Sequence, residues 1–156
     1  MKKLKNIKLF VTDCDGVLTD GGMYYFDNGI TGKKFNCHDG EGFNILKKNK
    51  VQTAIISGDN SKSLELRNSK LKCDFLIMGS KNKLADLKKI CLECNIELSN
   101  VLYVGDDLND IEVMQFVGFS CCPHDALDDV KKIATFIADT KGGLGVIREI
   151  VNKFFC

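Results

Sequence analysis

Ile7-Lys8-Leu9-Phe10-Val11-Thr12-Asp13-Cys14-Asp15-Gly16-Val17-Leu18-Thr19-Asp20-Gly21 runs as an apolar strand into two aspartates, one residue apart, on a glycine turn. Side chains alternate along a strand, so Asp13 and Asp15 are expected to point the same way at its C-terminal end. No base close in sequence offsets their repulsion, which calls for a cation between them. Open α/β folds bind ligands at the C-terminal edge of a parallel sheet, and paired carboxylates there suit a hard divalent ion such as Mg²⁺. A single aspartate in this place would read only as a solvated Asp-Gly turn.

Outward from that turn, apolar β-rich runs at 7–12, 51–57, 73–77, 101–105 and 134–138 alternate with helical patterns near 40–49, 61–70, 82–95, 108–115, 125–132 and 144–155. Strands separated by helices imply crossovers, so the expected class is α/β with a doubly wound parallel sheet. One segment breaks the alternation. Met23-Tyr24-Tyr25-Phe26 and Ile30-Thr31-Gly32-Lys33-Lys34-Phe35 flank Asp27-Asn28-Gly29, and Asn-Gly supplies the positive φ of a tight turn. A β-hairpin over about 22–36 therefore protrudes beside the acidic turn. Its aromatic residues make it a candidate contact between copies of the chain.

With 156 residues and one proline, the chain reads as a single domain over 1–156. Its 22 basic and 21 acidic residues give a net charge of +1, so no broad field favours nucleic acid or an anionic membrane. Met1-Lys2-Lys3-Leu4-Lys5 is basic, but the apolar stretch behind it is too short for a signal-peptide core. No run approaches the roughly 20 apolar residues of a membrane span. The eight cysteines follow no disulfide or zinc spacing; Cys91 and Cys94 form a CxxC inside a helical pattern and are expected as core thiols. Reduced thiols and a cytoplasmic location are the expectation.

Three further segments are expected to end on the same sheet edge. Ile55-Ile56-Ser57-Gly58-Asp59-Asn60-Ser61 places a hydroxyl and free amides where a phosphate oxygen is held, although it also reads as an ordinary turn with Ser61 as a helix cap. Gly79-Ser80-Lys81-Asn82-Lys83-Leu84 puts lysine in the first turn of a helix, where the dipole disfavours it by about 0.3–1 kcal/mol unless an anion is present. Val101-Leu102-Tyr103-Val104-Gly105-Asp106-Asp107-Leu108-Asn109-Asp110 is a second strand running into acids, with Asp106 as metal ligand and Asp107 and Asp110 orienting the ligands or capping the next helix. Together these parts describe a phosphate-monoester site. Mg²⁺ on Asp13, the Asp15 carbonyl and Asp106 neutralises the phosphate while Ser57 and Lys83 hold its oxygens. Asp13 attacks phosphorus, and Asp15 protonates the leaving alcohol and later deprotonates water.

Asp13-Cys14-Asp15-Gly16-Val17-Leu18-Thr19, Ser57-Gly58, Lys83 and Gly105-Asp106-Asp107-Leu108-Asn109-Asp110 resemble, in order, the four motifs of the haloacid dehalogenase superfamily phosphatases. Little chain separates these motifs, so the resemblance is to members without a cap domain. Thr19-Asp20-Gly21-Gly22, Lys34-Phe35-Asn36, Asp39-Gly40 and Gly142-Gly143-Leu144-Gly145-Val146-Ile147-Arg148-Glu149 narrow it to the 3-deoxy-ulosonate phosphatases. That family acts on octulosonate 8-phosphates and nonulosonate 9-phosphates and assembles as homotetramers through its hairpins. The resemblance implies a phosphorylated sugar acid bound by Asn36, Cys37, His38, Asp39, Gly40, Asn44, Gly58, Asp59, Arg67, Lys70 and Lys83, with the Gly142–Glu149 tail reaching the site.

His38, Asn44 and Asp59 stand where the octulosonate enzymes typically carry arginine, and Asp59 with Lys70 looks more like the nonulosonate branch. The expectation is therefore a nine-carbon 9-phosphate (KDN or N-acylneuraminate), with octulosonate 8-phosphate as the alternative. Two other classes compete. A receiver-like phospho-switch shares the acidic cluster but carries its phosphorylated Asp after the third strand, and an inactive tetrameric scaffold has no need of Asp15 beside a metal cluster.

Overall fold

The sheet is organised around β1 (Leu9–Thr12), whose four residues are fully buried. Its alternation serves two layers: Phe10 faces one hydrophobic cluster while Leu9 and Val11 face the other. After β1 come a hairpin of β2 (Tyr24–Tyr25) and β3 (Thr31–Gly32), then α1 (Cys37–Lys48), β4 (Gln52–Ile56), α2 (Lys62–Leu71), β5 (Phe75–Ile77) and α3 (Lys83–Cys94). The chain continues through β6 (Val101–Val104), α4 (Leu108–Phe116), β7 (Phe119–Cys122), α5 (Asp128–Ile133), β8 (Phe136–Ile137) and α6 (Val146–Phe155). This computed structural model describes residues 4–156, and Met1-Lys2-Lys3 lie outside the described residues.

The six-stranded sheet has the order β5-β4-β1-β6-β7-β8, and every pairing is parallel. The chain winds outward from β1 through β4 to β5, then returns to the other side through β6, β7 and β8. The reversal falls between β1 and β6, the position where a doubly wound sheet opens a crevice at its C-terminal edge. Register aims the edge residues: Thr12 lies beside Ile55 and Val104, so Asp13, Ser57 and Asp106 leave the sheet close together.

Helices α1, α2 and α6 cover one face and α3, α4 and α5 the other. The α6 helix is strongly amphipathic: Val146, Ile147, Ile150, Val151, Phe154 and Phe155 are buried, and its Arg148 backbone approaches Gly42 of α1 closely enough that a Cβ there would sit at 3.5 Å. Between β1 and β4 the chain holds only the hairpin and α1, and between β4 and β5 only α2, so no cap domain covers the crevice.

Two expectations are corrected here. The hairpin has two-residue strands rather than long ones, because Met23, Tyr24, Tyr25, Phe26 and Ile30 are exposed and have no facing layer among the described residues. The strand β7 was not expected: Phe119-Ser120-Cys121-Cys122 lacks the branched residues of a typical strand, and the buried thiols of Cys121 and Cys122 act as small apolar groups. All eight cysteines are free, with Cys91 buried and Cys94 partly so. Among the described residues no helix is long and apolar enough to cross a membrane.

Candidate active site

Asp13 follows β1 directly, held by its amide to the Val104 carbonyl at 2.9 Å. Its Oδ1 accepts the Cys14 amide at 2.6 Å, and its Oδ2 meets Lys83 Nζ at 2.8 Å. Lys83 opens α3 behind the Asn82 cap and is itself buried. Its ammonium also reaches Asp110 Oδ1 at 2.7 Å and Asn109 Oδ1 at 3.2 Å. These partners explain a lysine where the helix dipole opposes one. Asp110 is fully buried and saturated: Tyr103 donates its hydroxyl at 2.7 Å, and the amides of Asp106 and Asp107 donate at 3.0 and 3.3 Å. Asp110 therefore orients Lys83 and the acidic turn. Asp107 caps α4, accepting the Leu108 amide at 2.6 Å within a capping box shared with Asp110.

Carboxylate oxygens of Asp13, Asp106 and Asp110 all lie within 4.8 Å of one another. Asp106 Oδ1 is buried and has no hydrogen-bond partner among the described residues. Burial and the Asp110 charge push the Asp13 carboxyl up to about 7, against the opposing pull of Lys83. Burial with the charges of Asp13, Asp110 and Asp107 pushes Asp106 up to about 8. Two hard carboxylate donors, both costly to ionise and one with an orphaned oxygen, fit a divalent cation. Gly16 gives the room: at φ +78°, a Cβ here would lie 1.9 Å from Asp106 Oδ2.

Asp15 points to a different cation. Lys33, projecting from the hairpin, places Nζ 2.8 and 2.7 Å from the two Asp15 oxygens and 2.8 Å from Asp59 Oδ2. Thr19 Oγ1 approaches Asp15 Oδ1 at 3.3 Å. The expectation that no base offsets the Asp13/Asp15 pair is thus corrected: Lys83, expected only as a holder of phosphate oxygens, and Lys33, not expected at all, compensate them from distant points in the sequence. Burial alone lowers the Lys33 ammonium, but its hydrogen bonds to Asp15 and Asp59 hold it above the ordinary lysine value. Ser57 is buried, and its hydroxyl oxygen accepts the Asp59 amide at 3.0 Å. An open cleft of about 370 Å³ is lined by Asp13, Asp15, Met23, Ser57, Gly58, Asp59, Asp107 and Asn109.

The family model for haloacid dehalogenase-like hydrolases matches residues 41–150. The 3-deoxy-D-manno-octulosonate 8-phosphate phosphatase KdsC of Escherichia coli (strain B / BL21-DE3) is 38% identical over 152 residues, covering 97% of this chain and 81% of its own. The chain belongs to the KdsC family of the haloacid dehalogenase superfamily. KdsC-family structures superpose on it closely. The Moraxella catarrhalis 3-deoxy-D-manno-octulosonate 8-phosphate phosphatase, solved with magnesium, phosphate and KDO, has a TM-score of 0.93 at 34% identity over 96% of this chain and 86% of that one. The cobalt-bound Haemophilus influenzae phosphatase has a TM-score of 0.92 at 33% identity over 97% and 89%. This chain is accordingly a phosphatase of that superfamily with an α/β fold of the same kind.

Not all the residues expected around the substrate of a KdsC-type enzyme line the cleft. Asn36 caps α1 by accepting the His38 amide at 2.9 Å, and Cys37 and His38 are exposed beside it. Asp39 is fully buried, its Oδ1 accepting the Arg148 amide at 3.1 Å, and neighbouring Gly40 lines neither of the clefts near Lys33. Asn44 is exposed on α1 and tied to Glu41. Arg67 and Lys70 line a separate hollow with Lys33, Phe35, Ser63 and Leu66, where Arg67 donates to the Asn36 carbonyl at 2.6 Å.

The tail packs against the loop that carries Asp13 and Asp15. The Gly143 amide donates to the Val17 carbonyl at 2.9 Å, a Cβ on Gly142 would lie 1.9 Å from the Gly16 carbonyl oxygen, and the chain then enters α6. Glu149 accepts the Asp139 and Thr140 amides at 2.9 and 2.8 Å, so these residues buttress the Asp13–Asp20 loop of their own chain from behind. Sequence reading missed Lys33, Tyr103, Asn109 and Met23. Tyr103 sits in a strand otherwise purely aliphatic, the one local hint of a buried polar partner.

Proposed function

We propose that the chain hydrolyses the phosphate monoester of a 3-deoxy-ulosonic acid, 3-deoxy-D-manno-octulosonate 8-phosphate in the first place, with Mg²⁺ as cofactor. The observation that carries this is the buried Asp13 carboxylate, lining the cleft between Lys83 and the orphaned oxygen of Asp106, in a chain this close to the KdsC enzymes. Asp13, Asp106 and the Asp15 carbonyl would hold the ion. When bound, it neutralises the phosphate and the acidic cluster.

Asp13 attacks phosphorus; the P–O bond to the sugar breaks and the leaving oxygen takes a proton from Asp15. Water then attacks the phosphoaspartate, Asp15 accepts the proton of that water, and the bond to Asp13 breaks to release inorganic phosphate. Ser57 and the Gly58 amide would hold non-bridging oxygens, and Lys83 fixes Asp13 against rotation.

The eight-carbon substrate is put before the nine-carbon expectation because the similar phosphatases are named for the octulosonate ester. Asp59 was to face sugar hydroxyls or amides, but its Oδ2 is taken by Lys33, the Ser61 amide and the Ser61 hydroxyl. One oxygen of Asp59 is thus held within the chain, while the residue still lines the cleft. Homo-oligomerisation, as a tetramer, rests on the hairpin, where Met23, Tyr24, Tyr25, Phe26 and Ile30 are 50–75% exposed. A cytoplasmic location rests on eight free thiols.

Phosphate release is measured on octulosonate 8-phosphate and nonulosonate 9-phosphates with and without Mg²⁺. The expected outcome is Mg²⁺-dependent turnover preferring the eight-carbon ester and abolished in Asp13→Asn. Preference for a 9-phosphate restores the other substrate; a stable phosphoenzyme without turnover indicates a switch.

A further inference from the structure

The hairpin carries one side chain that does not belong to a surface element. Lys33 projects from just beyond β3 and is only 4% exposed in its side chain. Burying an ammonium costs several kcal/mol unless it is paired. Here it has three donors and three acceptor oxygens in reach: Asp15 Oδ1 at 2.8 Å, Asp15 Oδ2 at 2.7 Å and Asp59 Oδ2 at 2.8 Å. Every N–H is spent on a carboxylate, so none is left over for a phosphate or a sugar acid.

Asp59 in turn is fixed by the Ser61 amide at 3.1 Å and by the Ser61 hydroxyl, at the start of α2. The acceptor that anchors Lys33 is therefore rigid, and the Asp15 carboxylate, gripped at both oxygens, cannot turn freely about its own axis. Lys33 holds Asp15 without reaching the reacting phosphate.

We propose that Lys33 is a positioning residue of the phosphate site, setting the Asp15 carboxylate for its proton transfers through an ion triad completed by Asp59, so that the hairpin is part of the active site's framework. This rests on the reading of Asp15 as the proton-transfer group. The step most exposed to its loss is the second: water attacks the phosphoaspartate, its proton goes to the held Asp15 carboxylate, and the Asp13–phosphorus bond breaks. A misplacement of about 1 Å at such a group costs on the order of 10²-fold.

The test compares wild type, Lys33→Met, Lys33→Met/Asp59→Asn and Asp15→Asn, each checked for folding by thermal unfolding. With octulosonate 8-phosphate, Lys33→Met is expected to lose about 10²-fold in kcat with KM within about twofold. With p-nitrophenyl phosphate, whose leaving group departs without needing a proton, rapid mixing is expected to show a burst of about one p-nitrophenol per active site, then slow turnover with phosphoenzyme accumulated. The double variant, free of the unpaired Asp59 charge, is expected to show the same burst and stands in for Lys33→Met should the latter not fold. A kcat within about twofold of wild type, or a lower kcat without a burst, overturns the proposal. If Asp15→Asn is inactive while the Lys33 variants match wild type, only the positioning role falls; if Asp15→Asn keeps full activity, the proton-transfer reading falls with it.

Discussion

Replacing Asp39 with asparagine separates two accounts of that residue, a substrate contact and a structural carboxyl between α1 and α6. Asp39 is fully buried; Oδ1 accepts the Arg148 amide at 3.1 Å, and Oδ2 has no hydrogen-bond partner among the described residues. Burial pushes the carboxyl up from 3.8 to about 6, opposed by the Arg148 and Ile147 amides and by the charges of Arg67 and His38. Because the folded value is the higher one, the folded state holds more protons between about 4 and 6. Stability from this group is thus complete below about pH 4 and is lost as pH rises through about 6. The gap corresponds to about 3 kcal/mol at pH 7, of which about 1.3 kcal/mol is recovered on going down to pH 5. Urea unfolding of wild type and Asp39→Asn at both pH values, with divalent ions chelated, reads this directly, since groups common to both cancel in the difference. The wild type is expected to gain about 1.3 kcal/mol on the variant between pH 7 and pH 5. The KM for octulosonate 8-phosphate is expected to stay within about twofold. A difference that holds constant within about 0.3 kcal/mol refutes the buried-carboxyl account, and a KM raised about tenfold restores the substrate contact.

Two further predictions concern the acidic cluster. Gly16→Ala forces a Cβ to 1.9 Å from Asp106 Oδ2 at φ +78°, and is expected to raise the half-saturating Mg²⁺ concentration in the phosphatase assay about tenfold, the equivalent of about 1.4 kcal/mol. Mg²⁺ at about 100 times its dissociation constant is expected to stabilise the fold by about 2.7 kcal/mol over the chelated protein; an unchanged thermal midpoint counts against Asp13 and Asp106 as ion donors.

The sheet, its parallel connections and the grouping of Asp13, Ser57, Lys83 and Asp106 were legible because each depends on local pattern: an apolar strand followed at once by a polar turn. The order of motifs then placed them on one edge. The partner of Asp15 was not legible, because Lys33 and Lys34 look alike in sequence and only the seating of the hairpin decides which is buried. Lys33 is enclosed, while Lys34 is half exposed beside Asp20. The partners of Asp59 were not legible for the same reason. A carboxylate after Ser57-Gly58 invites a substrate role, and nothing local shows that Lys33 and Ser61 have claimed it. His38 and Asn44 fell outside the cleft because α1 begins at Cys37, which turns their faces to solvent rather than to the carboxylates. The strand β7 was missed because two cysteines fill the place of branched residues.

The contact of Gly142 and Gly143 with the Gly16–Asp20 turn joins the two extremes of the described chain. A ribosome delivers the nucleophile's turn long before its backstop. During synthesis the Asp13 turn therefore waits, with its cluster of acids unbraced, until α6 has emerged and docked on α1. Competence for ion binding in this way waits on the Gly142–Gly143 segment, and a chain stalled before Gly142 carries the residues of the catalytic motifs without the brace behind them.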